Sequence, residues 1–61
     1  MSWKDENKEK WREINEAMDD PGVYRIVQEA KDRYGAPRRW TTEQGEEVYR
    51  KVKEWMDIPS W

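Results

Sequence analysis

The chain is predicted to be all-α: a compact three-helix domain spanning residues 1–61. Helices are expected at about 3–18, 21–34 and 42–56, with a Trp-containing connector and a short C-terminal tail packing on the bundle. Three observations lead there. The stretch Asp20-Pro21-Gly22 to Tyr34-Gly35 carries a start signal, an apolar stripe and a stop signal that agree. Thr41-Thr42-Glu43-Gln44 has the form of a capping box, in which Thr and Gln side chains satisfy each other's free backbone N–H groups. Apolar residues in all three segments recur at the three- and four-residue spacing that lines one face of a helix.

The first helix begins at Ser2-Trp3-Lys4-Asp5, a Ser-x-x-acid start. Trp11, Ile14 and Met18 share its inner face, and the same face extended backwards meets Asn7 and Trp3. So polar a first half is expected to fray or lie at the edge of the bundle. Asp19-Asp20 closes this helix and opens the next almost at once, which demands a tight corner. In the second helix Asp20 is the cap, and Pro21 fits the first helical position, where its missing N–H had no partner to lose. Val23, Ile26, Val27, Ala30 and Tyr34 form the inner face. Gly35 can take the left-handed conformation that ends helices, and Pro37 prevents resumption.

The connector 36–41 places Trp40 where it can plug the open end of the core. Val48, Tyr49, Val52, Trp55 and Met56 follow at helical spacing in the third helix. Gly45 interrupts its first turn at a cost of about 1 kcal/mol against Ala, which points to close approach of another backbone or of Trp40. Acid-before-base pairs at i, i+4 (Glu6–Lys10, Glu29–Arg33, Glu46–Arg50, Glu47–Lys51) suit a solvated helical surface. Pro59 ends the third helix, and Ile58 and Trp61 are expected to fold back over it. The predicted core is therefore Trp11, Ile14, Met18, Val23, Ile26, Val27, Ala30, Tyr34, Trp40, Val48, Val52 and Trp55.

Composition narrows function more than it reveals it. A chain of 61 residues is near the lower size at which one core suffices. It has no cysteine and no histidine, so thiolate chemistry, disulfides and the commonest metal ligand and general base are excluded. The two serines lie at the chain ends, and carboxylate pairs such as Glu9 with Glu13 are expected to be solvated, so no enzyme, cofactor or metal site is expected. No apolar run approaches a membrane span and no signal peptide is apparent, so a soluble protein is expected. Three helices at this length are also the plan of the homeodomain. The third helix here, however, mixes Glu43, Glu46, Glu47 and Glu54 with Arg50, Lys51 and Lys53, and Arg38-Arg39 would neutralise few phosphates. With a net charge of −2, neither nucleic acid nor membrane is an expected partner.

Five tryptophans stand beside no leucine and no phenylalanine, although leucine is among the commonest residues of natural chains. Core bulk must come from indoles and phenols. The rings not assigned to the core, Trp3, Tyr24, Tyr49 and Trp61, are candidates for a protein interface or a homodimer contact, since Trp and Tyr dominate interface hot spots. No partner is required by the pattern.

In its punctuation (Asp20-Pro21, Gly35, Thr41-x-x-Gln44) and its paired surface charges, the chain resembles de novo designed helical miniproteins. The resemblance covers the whole chain as a style, not a motif, and the missing leucine departs from the usual Leu-rich designed bundle. It implies a stable, monomeric scaffold with no evolved substrate; the alternative is a binding module or self-associating protein using surface Trp and Tyr residues.

Overall fold

The computed structural model describes residues 2–57; the expected packing of Ile58 and Trp61 lies outside them. The fold is all-α, with helices α1 (Trp3–Glu6), α2 (Lys8–Glu16), α3 (Pro21–Tyr34) and α4 (Thr42–Asp57). Two 3-10 turns, Ala17–Asp19 and Pro37–Arg39, join the longer helices. The radius of gyration is 11.1 Å, close to the ~10.5 Å of a compact chain this long.

The first predicted helix is divided. Ser2 accepts the Asp5 N–H at 3.3 Å and starts α1. At Asn7 the backbone leaves the helical region, with φ −128° and ψ 53°. Its side-chain amide donates to the Trp3 carbonyl at 3.0 Å, occupying an acceptor at the end of the short helix. This break overturns the expectation of a fraying, peripheral N-terminus. It redirects α1 so that Trp3, expected among the exposable rings, is 1% exposed and part of the core.

The α2–α3 corner is a single 3-10 turn ending at Asp20, whose extended backbone (φ −81°, ψ 124°) begins the next helix. Asp20 Oδ1 accepts the Gly22 N–H at 2.8 Å, as a cap must. Gly35 closes α3 at φ 87° and ψ −161°. That is not the ordinary left-handed cap but an extended mirror-image conformation essentially restricted to glycine. The capping box forms reciprocally: Gln44 N–H donates to Thr41 Oγ1 at 3.2 Å, and Thr41 N–H donates to Gln44 Oε1 at 3.0 Å.

The core comprises Trp3, Ile14, Val23, Val27, Ala30, Trp40, Val48 and Val52, with Trp11, Met18, Ile26, Tyr34 and Tyr49 partly buried against it. Trp40 closes one end. Its indole N–H donates to the Gly35 carbonyl at 3.0 Å, and the rings of Trp3 and Trp11 lie 6.4 and 5.9 Å from its own. Trp55, placed in the core by its spacing, is instead 46% exposed. Near the C-terminal end of α4 it crosses the first turn of α3 and meets Gly22 at the rim.

Gly45 is explained by an indole, but not that of Trp40. A Cβ at position 45 would collide with the Trp3 ring. Gly45→Ala should therefore destabilise by about 1–3 kcal/mol through overpacking, despite the ~1 kcal/mol that alanine ordinarily gains in a helix. Gly22→Ala should cost less, because the half-exposed Trp55 can swing outward. Equal urea midpoints for the two variants would contradict this. Trp3→Ala should cost about 3–5 kcal/mol, as for a buried ring, and Trp55→Ala about 1 kcal/mol.

Candidate functional site

Among the described residues, the one ring proposed for an interface that lies in the open is Tyr24, at 52% exposure. Trp3 is interior, and Trp61 lies outside the described residues. Tyr49 is half-buried: its hydroxyl donates to Glu13 Oε2 at 2.7 Å, while Lys10 and Lys53 sit 5.3 and 5.9 Å from its ring centre. The exposed large apolar groups that periodicity did not identify are Trp55 and Met56, the latter 52% exposed. Both occupy the last turns of α4, beyond the reach of α3's central apolar residues. A shallow groove between α2 and α4 brings Ala17, Tyr49, Val52 and Met56 together, edged by Glu13, Glu16 and Lys53.

Four carboxylates, Glu46, Glu47, Asp20 and Glu13, fasten the elements through aromatic donors. Glu46 Oε2 accepts the Trp3 indole N–H at 2.6 Å, and Lys10 Nζ lies 3.0 Å from the same oxygen. The indole hydrogen bond, followed by the Lys10 ammonium, holds the Glu46 carboxyl below its ordinary pKa. Glu47 accepts the Tyr34 hydroxyl at 3.0 Å and pairs with Lys51 at 3.4 Å; it too is lowered, first by the phenol. Asp20 is lowered by the Gly22 N–H and then by the Trp55 indole N–H, which donates to Oδ1 at 3.0 Å. In the opposite sense, the hydrogen bond to Glu13 raises the Tyr49 phenol above its ordinary value.

These contacts reassign several expected ion pairs. Lys10 bonds across to Glu46 in place of Glu6, and Glu29 lies 3.8 Å from Arg25 in place of Arg33. Glu47–Lys51 forms within α4, whereas Glu13 meets Lys53 across the α2–α4 groove at 3.7 Å. Exposed pairs of this kind contribute little energy individually; their effect here is to orient groups already brought together by packing. Arg38 and Arg39 project from an exposed turn, while the cations placed over rings are lysines, including Lys4 5.2 Å above Trp11.

Among the described residues no group of three or more acidic side chains converges as a metal cage, and no helix is long and apolar enough to cross a membrane. Glu9 and Glu13, the carboxylate pair singled out in the sequence, are both exposed, with Glu13 committed to Tyr49 and Lys53. In comparisons with known proteins, no family model, curated protein or solved structure matches the chain.

The lowered carboxyl groups have a defined pH consequence. Relative to the unfolded chain, the native state disfavours their protonation, so their stabilisation is present above the ordinary carboxyl range near pH 4 and is lost as pH falls through the lowered values. The urea midpoint should drop on that acid limb. Glu46→Gln, which keeps an acceptor for Trp3 and removes the charge, should flatten part of the drop; an unchanged acid limb would exclude Glu46 as a contributor. At the alkaline end the raised Tyr49 phenol stabilises below about pH 10, and that contribution disappears as pH rises through its raised value.

Proposed function

We propose that this chain is a stable, monomeric helical scaffold of the designed type, with no evolved substrate. The observation that carries the reading is agreement between local signals and tertiary contacts. Ser2, Asp20 and the Thr41–Gln44 pair each cap the start of a helix. The indole N–H groups of Trp3, Trp40 and Trp55 each have an oxygen acceptor. Among the described residues no buried side-chain nitrogen or oxygen lacks a partner. Such consistency across levels is what makes a sequence specify one structure.

A second reading, a binding or self-associating module, draws on the exposure of Tyr24, Trp55 and Met56. Of these, Trp55 already rests on Gly22 and spends its N–H on Asp20, which favours a role in closing the fold.

Urea unfolding followed by both tryptophan fluorescence and far-UV circular dichroism, across the micromolar range, separates the readings. The scaffold reading expects coincident transitions whose midpoint does not depend on protein concentration. A midpoint that rises with concentration, together with slowed exchange of the Trp55 indole N–H, would replace it with the interaction module.

A further inference from the structure

We propose that residues 2–6 form an exchangeable arm, and that the seat for Trp3 accepts the same residue from a second copy of this chain. The seat belongs to the C-terminal half of the molecule. Gly45 supplies the gap, Trp40 one wall and Glu46 Oε2 the acceptor for the indole N–H. The arm that fills it is connected to α2 through one non-helical residue, Asn7.

The bend at Asn7 is a choice between two local structures. Residues on either side are already helical, and Ser2 already caps the first turn. Returning Asn7 to helical dihedrals would merge α1 and α2 into one rod over residues 3–16. At 1.5 Å per residue the rod would carry Trp3 about 6 Å beyond Asn7 along the α2 axis, pointing away from its own seat. In a lone chain this state forfeits burial of a whole indole, so the bent form prevails. In a pair of chains the indole stays buried: each straightened arm places Trp3 over the partner's Gly45 and beneath the partner's Glu46, and the continuous helix gains backbone hydrogen bonds against loss of the bond from the Asn7 side-chain amide to the Trp3 carbonyl.

Exchange of identical elements through a hinge is a low-cost route to dimers. Its equilibrium is set by protein concentration against the effective concentration of the tethered arm, on the order of millimolar for a short connection. The native chain is thus monomeric at micromolar concentration and populates the exchanged dimer as concentration approaches millimolar. Asn7 tunes the balance, because its side-chain amide stabilises the bend by donating to the Trp3 carbonyl and because asparagine is a poorer helix former than alanine.

The test is sedimentation equilibrium on full-length variants. Asn7→Ala should dimerise at a concentration about ten-fold or more below that of the native chain, and adding Trp3→Ala to it should abolish that dimer. Persistent dimer in the double variant would show association through another face and overturn the proposal. A complementary pair makes the test independent of the hinge. Trp3→Ala leaves an empty seat, and Gly45→Val fills the seat and frees the arm. Each alone should be monomeric, while an equimolar mixture should form a one-to-one complex. If either variant is unfolded alone, the expected result is a gain of helical circular dichroism on mixing. A mixture that neither associates nor gains helix, with Asn7→Ala monomeric at millimolar concentration, refutes arm exchange.

Discussion

The contact on which the arrangement depends is the Trp3 indole lying where a side chain at position 45 would otherwise stand. It explains the glycine early in α4 and the break at Asn7, and it gives the four-residue α1 a place in the core. A helix of one turn has no stability of its own, since nucleation is unfavourable and few hydrogen bonds repay it. Burial of the indole supplies what the backbone cannot. Trp3 also provides a wall for Trp40, which with Trp11 closes the end of the core opposite the α2–α3 corner.

Tryptophan brings a difficulty that leucine would not: each ring carries an N–H that must find an acceptor when it is taken from water. The fold meets this at its rim. Trp3 and Trp55 direct their N–H groups to carboxylates at the solvent boundary, and Trp40 directs its own to the backbone carbonyl of Gly35. Tyr34 and Tyr49 follow the same rule with Glu47 and Glu13. Aromatic bodies fill the interior while their polar edges tie one element to another. In this way a chain without leucine or phenylalanine obtains both bulk and orientation from the same side chains.

The parts of the fold governed by local chemistry were legible in the sequence. Asp20 and Pro21 open α3 and Gly35 closes it, and Thr41 with Gln44 opens α4, because capping and backbone preference act within a few residues. What periodicity could not convey was decided between distant elements. Asn7 reads as an ordinary polar position, and only the demand of Gly45 for a flat partner makes a break there favourable. Trp55 is in phase with Val48 and Val52, but helical phase does not report whether the facing helix extends far enough to cover a ring. Reassignment of Lys10 from Glu6 to Glu46 has the same origin, since tertiary proximity outweighs a pair worth a few tenths of a kcal/mol. The electrostatic rim was likewise hidden: Glu46 and Glu47 stand on the sequence as solvated acids, and only the approach of Trp3 and Tyr34 gives them distinct surroundings.

The Trp3–Glu46 hydrogen bond joins residues 43 positions apart. The corner at Asp20 and the turn before Trp40 can form from neighbouring residues, but the seat for Trp3 does not exist until α4 has been made and has docked. Closing so long a loop carries an entropic cost that only the completed seat can offset. During synthesis the N-terminal turn is the first part of this chain to leave the ribosome and, by geometry, among the last to find its place. The element that stands earliest in the sequence thus takes its place only from one of the last to be made.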